Sequence, residues 1–126
     1  MILVDSSVWF HHLKEGSKEL QHVLENEEVL THPFILGELT LGNYKNRREI
    51  LDLLFALPLV AVASNEEALF LVERGRLHGK GIGWIDVNLI ASSLLSRCHL
   101  WTYDRALMRE SKRMKVPTLS SLGSRV

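Results

Sequence analysis

Short apolar runs alternate along the chain with longer amphipathic segments. The runs at residues 2–4, 29–31, 59–62, 99–102 and 116–119 are rich in branched or aromatic residues, as strands are. The first and third runs contain no polar residue, which indicates strands that are buried on both faces of a parallel sheet. The pattern therefore predicts five strands.

Helical patterns fill the segments between these runs. Ser64 and Glu67 form a capping box, Pro33 suits a first helical turn, and apolar residues recur at helical spacing from Asp86 onward. The predicted helices begin with one directly after Asp5 and continue with residues 17–25, 33–42, 45–57, 68–78, 86–95 and 104–114. This alternation predicts an α/β fold with helices on both faces of a parallel sheet and a ligand site at the carboxyl ends of its strands.

The composition is that of one folded domain. The 126 residues are 46% hydrophobic and 24% charged, and every apolar run is far shorter than the ~20 residues that span a bilayer. The amino terminus lacks the basic segment and cleavage site of a secretory signal, so we expect a cytoplasmic protein outside the membrane. The single cysteine, Cys98, is expected to be a buried thiol.

The charges balance, with 15 Lys and Arg against 15 Asp and Glu. Most of the basic residues fall in three clusters, within residues 45–48, 74–80 and 105–115. Such clusters can follow a phosphate backbone, but they are also typical of the solvated faces of helices. Charge alone favours the second interpretation, so a site must be argued from other residues.

Four acidic residues stand out by their positions. Asp5 follows the first strand and Asp104 the fourth, so both carboxylates are expected at one cleft. Glu38 and Asp86 lie among apolar residues on helices, where a charge is costly unless it is paired or bound to a cation. Oxygen ligands without cysteine favour Mg²⁺ or Mn²⁺ over zinc or copper.

Hydrolysis of a phosphodiester bond is the reaction that such a site favours, because a metal can activate the attacking water and offset charge on the phosphate. Ser6 and Thr102, each beside a strand-end carboxylate, are expected to hold these carboxylates or a water on the metal. Asp5, Asp86 and Asp104 can instead be helix-capping residues, a role worth about 1 kcal/mol or less. The spacing leaves both roles open.

Four motifs occur in order along nearly the whole chain, at residues 2–9, at Glu38-Leu39, and at residues 84–91 and 100–107 with its Thr-x-Asp core. Together they resemble the motifs of PIN-domain ribonucleases, in particular the VapC toxins of type II toxin-antitoxin systems. The resemblance implies a single PIN domain over residues 1–126, built as a three-layer α/β/α sandwich around a five-stranded parallel sheet.

The resemblance also implies a function, an Mg²⁺- or Mn²⁺-dependent endoribonuclease with Asp5, Glu38, Asp86 and Asp104 as its catalytic residues. Asp5, Asp86 and Asp104 would be the metal ligands. It implies RNA as the substrate, a cognate antitoxin as the inhibitor, and both a homodimer and a toxin-antitoxin hetero-oligomer. Asn88 stands where some nucleases of this architecture carry another acid, which leaves open whether one metal acts or two.

Other functions compete with this one. A stand-alone PIN nuclease and a catalytically silent PIN-like RNA-binding module share the fold. A phosphoaspartate phosphatase would need a second aspartate at position 7, where Ser7 stands. A cluster of four acids is costly for a module without metal, so the sequence favours the nuclease.

Aromatic and apolar residues suggest a place for the antitoxin. We expect an antitoxin arginine to enter the acidic cleft, and Trp9, Phe10 and residues 34–36 to form a groove for an antitoxin helix. Trp9, Trp84 and Trp101 are otherwise expected in the core or at a dimer interface rather than as platforms for bases.

Overall fold

The computed structural model describes residues 1–120, which form seven helices and four strands. The strands are β1 (Ile2–Val4), β2 (Val29–Leu30), β3 (His99–Trp101) and β4 (Thr118–Leu119). The helices are α1 (Ser6–Glu15), α2 (Lys18–Glu25), α3 (Pro33–Thr40), α4 (Arg47–Phe55), α5 (Asn65–Gly75), α6 (Trp84–Ser96) and α7 (Arg105–Arg113). Their order along the chain is β1-α1-α2-β2-α3-α4-α5-α6-β3-α7-β4. Residues 121–126 of the predicted domain lie outside the described range.

The four strands form one parallel sheet in the order β2-β1-β3-β4. All three residues of β1 are buried, and since successive side chains point to opposite faces, the sheet is covered on both faces as predicted. Ile2 lies opposite both Val29 and His99. The backbone N–H of Asp5 donates to the carbonyl of Trp101 at 2.9 Å, so β1 and β3 end side by side.

The prediction of a fifth strand at residues 59–62 is wrong. Leu59 makes only an isolated parallel bridge with Thr31, just beyond the end of β2. The N–H of Val60 donates to the carbonyl of Thr31 at 2.8 Å, and the ladder goes no further. Leu59 and Val62 are about half exposed, so this segment is not buried on both faces either.

Side chains of α6 take the place of a strand ladder along this segment. The N–H of Ala61 donates to the hydroxyl of Ser96 at 2.8 Å, and the N–H of Ala63 donates to that of Ser92 at 3.0 Å. The segment is therefore extended and apolar, but half of its hydrogen bonds go to a helix.

The remaining elements agree with the sequence pattern to within a few residues. The capping box before α5 is confirmed, because Ser64 Oγ accepts from the N–H of Glu67 and Glu67 Oε1 accepts from the N–H of Ser64. Cys98 is buried, as expected. None of the helices within residues 1–120 is long and apolar enough to cross a membrane.

Candidate active site

A cleft of about 440 Å³ lies beyond the carboxyl ends of β1 and β3. All four predicted acids line it. Asp5 connects β1 to α1 and Asp104 connects β3 to α7, while Glu38 comes from α3 and Asp86 from the first turn of α6. The topology thus gathers residues that are as much as 99 positions apart in the sequence.

Two hydroxyls fix the carboxylate of Asp5. Its Oδ2 accepts hydrogen bonds from Ser7 Oγ at 2.7 Å and from Thr102 Oγ1 at 2.8 Å. Asp5 occupies the N-cap position of α1 but makes no side-chain capping bond there, so the capping alternative does not account for this residue. Its Oδ1 has only a long 3.5 Å contact with Ser6 Oγ.

The same two hydroxyls tie the ends of β1 and β3 together. Thr102 Oγ1 accepts from the N–H of Asp104 at 3.0 Å, and Ser7 Oγ accepts from the N–H of Tyr103 at 3.1 Å. Ser7 belongs to the motif at residues 2–9, but its contacts with Asp5 and Tyr103 were not predicted. A hydroxyl two residues after a strand-end aspartate, in the first turn of a helix, was the signal that could have identified it.

The capping alternative does apply to two of the acids. Asp104 Oδ1 accepts from the N–H of Leu107 at 2.8 Å at the start of α7, and Asp86 Oδ2 accepts from the N–H of Gly83 at 3.3 Å before α6. Both residues nevertheless line the cleft. Asp86 and Asp104 therefore each cap a helix and also line the cleft.

The fourth acid, Glu38, accepts a hydrogen bond from Ser6 Oγ at 3.1 Å through Oε1. A common pattern emerges, in which each carboxylate uses one oxygen to hold the fold. Within the described residues the other oxygen of Glu38, Asp86 and Asp104 accepts no hydrogen bond, and that of Asp5 has only its long contact with Ser6. Each acid thus keeps an oxygen available to a ligand.

The cleft concentrates negative charge. Burial raises the pKa of Asp86, and the charges of Asp5, Asp104 and Glu38 raise it further, against the opposing effect of the hydrogen bond from Gly83. The described residues that line the cleft include no lysine or arginine. A cation is what would relieve this repulsion.

The chemistry of the donors fits a hard divalent cation. All of them are oxygens, which suit Mg²⁺ or Mn²⁺ better than zinc or copper. No three Asp, Glu, His or Cys side chains among residues 1–120 stand close enough to form a ready-made site. Mg²⁺ usually keeps several of its waters when it binds a protein, so it does not require three converging side chains.

Two exposed aromatic side chains stand at the rim. Phe10 on α1 is 37% exposed and Trp84 on α6 is 40% exposed, and both line the cleft. Of the three tryptophans expected in the core or at a dimer interface, Trp9 and Trp101 lie in the core and Trp84 does not, so for Trp84 the interface remains a prediction. Asn88 is buried and donates to the carbonyl of Trp84, so it is not among the residues that line the cleft.

This fold and these residues are those of a nuclease-like α/β domain, and the chain belongs to the PIN domain family, whose profile matches residues 2–112. It is similar to ribonuclease VapC32 of Mycobacterium tuberculosis, with 44% identity over 108 residues, which cover 85% of this chain and 87% of that protein.

Two solved structures share the fold. FitAcB from Neisseria gonorrhoeae is 20% identical with a TM-score of 0.66, and the match covers 95% of this chain and 97% of that one. VapBC-1 from nontypeable Haemophilus influenzae is 16% identical with a TM-score of 0.67, covering 94% and 97%. At these identities the likeness concerns the fold alone.

Proposed function

We propose that this chain, acting as a single PIN domain, is a metal-dependent endoribonuclease and the toxin of a type II toxin-antitoxin system. The observation that carries the proposal is the cleft that four carboxylates line, each with one oxygen left available. The family and the similarity to a protein named ribonuclease VapC32 support the choice of RNA as the substrate.

Asp5, Asp86 and Asp104 are the proposed ligands of Mg²⁺ or Mn²⁺. The bound ion would orient and acidify a water and offset the charge of the scissile phosphate. Ser7 and Thr102 hold Asp5 in its orientation, and Ser6 does the same for Glu38. Glu38, whose Oε2 is available, is the proposed acceptor of a proton from the attacking water.

The aromatic rim points to unpaired nucleotides. Exposed rings such as those of Phe10 and Trp84 can stack on bases that are splayed out of a helix, which is how most proteins read single-stranded RNA. A duplex would keep its bases away from both rings. We therefore expect cleavage in loops or other single-stranded segments.

The test is cleavage of a structured RNA by partner-free protein in chelator, then with Mg²⁺ or Mn²⁺ restored. Cleavage is expected only with metal, and Asp5→Asn should nearly abolish it because the shape is kept and a ligand charge is lost. Asp52→Asn is the matched control, since Asp52 is exposed on α4 and pairs only loosely with Arg48 at 4.0 Å. Full cleavage in excess chelator, or by Asp5→Asn, would overturn the proposal.

The antitoxin has a second place to bind besides the cleft. An apolar groove of about 400 Å³ runs between α1, α2 and α4, lined by Trp9, His12, Leu13, Leu24, Ile50, Leu53, Leu54 and Leu57. Of the predicted groove residues only Trp9 lines this groove, since Phe10 lines the cleft instead. Ile35 and Leu36 are buried in the core, so that part of the predicted groove is wrong. We place the apolar face of an antitoxin helix here and an antitoxin arginine in the cleft.

Co-expression with the neighbouring gene product should yield an inactive complex. Changing the arginine to alanine should weaken inhibition more than assembly. A complex that cleaves RNA as fast as the free protein would favour the stand-alone nuclease instead. The homodimer is tested by the molar mass of the purified chain in light scattering.

A further inference from the structure

An ion-pair cluster around a buried carboxylate lies on α7, outside the cleft. The carboxylate of Glu110 is only 3% exposed and sits between two arginines. Arg109 Nε donates to one of its oxygens at 2.8 Å, and Arg113 Nε donates to the other at 2.8 Å. The hydrogen bond from Arg109 lowers the pKa of Glu110, Arg113 adds to this, and burial opposes it. Glu110 thus holds both guanidinium groups in place.

Each arginine also reaches a backbone carbonyl outside α7. Arg109 Nη2 donates to the carbonyl of Lys80 at 2.5 Å, and Arg113 Nη2 donates to that of Arg76 at 3.4 Å. Lys80 lies between Gly79 and Gly81, whose φ angles of 68° and 80° belong to the left-handed region that favours glycine. We call Glu110, Arg109 and Arg113 the clamp. The clamp therefore binds a loop whose glycines would otherwise allow its backbone many conformations.

This loop leads directly to one wall of the cleft. It ends at Gly83, whose N–H holds Asp86. The helix on the other side of the clamp, α7, is preceded by its N-cap Asp104, about one and a half turns before Arg109. Arg109 thus joins the segment that carries Asp104 to the segment that carries Asp86.

We propose that Arg109, oriented by Glu110, is a positioning residue that sets the spacing of Asp86 and Asp104 and so the affinity of the cleft for a divalent cation. It does not line the cleft. The inference rests on the proposed function in one respect, that these two carboxylates bind the ion.

Arg113 provides the matched control. It pairs with the same carboxylate from the same helix, but it reaches Arg76 at the end of α5 rather than the glycine-rich end of the loop. If the clamp only stabilises α7, Arg109→Gln and Arg113→Gln should behave alike. If Arg109 positions Asp86, only Arg109→Gln should weaken metal binding.

The experiment measures Mn²⁺ affinity by electron paramagnetic resonance, with amide hydrogen exchange in residues 79–86 and melting temperature as companion readouts. Arg109→Gln should weaken Mn²⁺ binding by about 10-fold, as loss of a group that orients a metal ligand commonly does. It should also speed exchange in the loop, whereas Arg113→Gln should do neither. Arg109→Lys should not rescue, because an ammonium lacks the planar fork that serves two acceptors at once.

The outcomes separate the two proposals. Wild-type protein that binds no Mn²⁺ would contradict the proposed function and this inference with it. Wild-type binding with equal affinity in the two arginine variants would overturn the positioning role alone, whatever the melting temperatures. Faster loop exchange in Arg109→Gln without weaker Mn²⁺ binding would likewise contradict the positioning role and show that Arg109 only stabilises the loop.

Discussion

Replacing Thr102 by valine removes one hydroxyl from a fully buried site and leaves the shape of the side chain nearly unchanged. That hydroxyl donates to the carboxylate of Asp5 at 2.8 Å and accepts from the N–H of Asp104 at 3.0 Å. The substitution therefore loosens two proposed metal ligands without touching their own side chains.

The expected cost follows from these two hydrogen bonds. A bond to a charged group contributes about 1.5–3 kcal/mol and a neutral one about 0.5–1.5 kcal/mol. Because Asp5 keeps its bond from Ser7, we expect a loss at the low end of the sum, about 2–3 kcal/mol in the free energy of unfolding.

Thr31→Val is the matched control. Thr31 is 1% exposed, and its hydroxyl has no hydrogen-bond partner within the described residues, so the same chemical change should be nearly neutral. Urea denaturation in excess chelator at pH 7 compares the two. With a slope of about 1–3 kcal/mol/M, the midpoint of Thr102→Val should fall by about 0.7–3 M relative to Thr31→Val. Equal midpoints would refute the idea that Thr102 holds Asp5.

Three further predictions concern charge and the aromatic rim. Because the folded pKa of Asp86 is raised, the ionised side chain opposes folding as pH rises through that pKa, so Asp86→Asn should raise the melting temperature of metal-free protein at pH 7 but not near pH 3. The pKa of Glu110 is lowered from 4.5, so its contribution is present above that pH and lost as pH falls through the folded pKa, and the stability gap between wild type and Glu110→Gln should close on acidification. Binding of a single-stranded oligonucleotide to Asp5→Asn protein should quench tryptophan emission, and quenching that survived Trp84→Phe would remove Trp84 from the RNA site.

Local pattern was sufficient for most of the fold. The apolar run before Asp5, the capping box at Ser64 and the stripe after Asp86 each specify an element through neighbours in the sequence. The prediction of a strand at residues 59–62 was wrong because hydrogen-bond partners of that segment are hydroxyls on α6, about 30 positions away in the sequence. An apolar run identifies an extended segment but not whether its N–H groups meet another strand.

The candidate site, like the fold, could be predicted from the sequence only in part. The convergence of Asp5 and Asp104 follows from the rule that parallel strands present their carboxyl ends together, and no distance had to be known. The role of Ser7 was missed although its place two residues after Asp5 offered a signal. The clamp between Glu110 and Arg109 could not be predicted, because a basic cluster on a helix looks the same whether its arginines face water or hold a distant loop.

The hydrogen bonds that Ser92 and Ser96 accept from residues 59–63 also affect how this protein can bind other molecules. In an extended segment alternate N–H groups point in opposite directions, so with Val60 facing β2, those of Ala61 and Ala63 point away from the sheet. Exposed donors of this kind invite an added strand from a peptide or from a neighbouring molecule. Here both N–H groups already donate hydrogen bonds, to Ser96 and Ser92. This edge is therefore protected against strand pairing with a peptide or a neighbouring molecule.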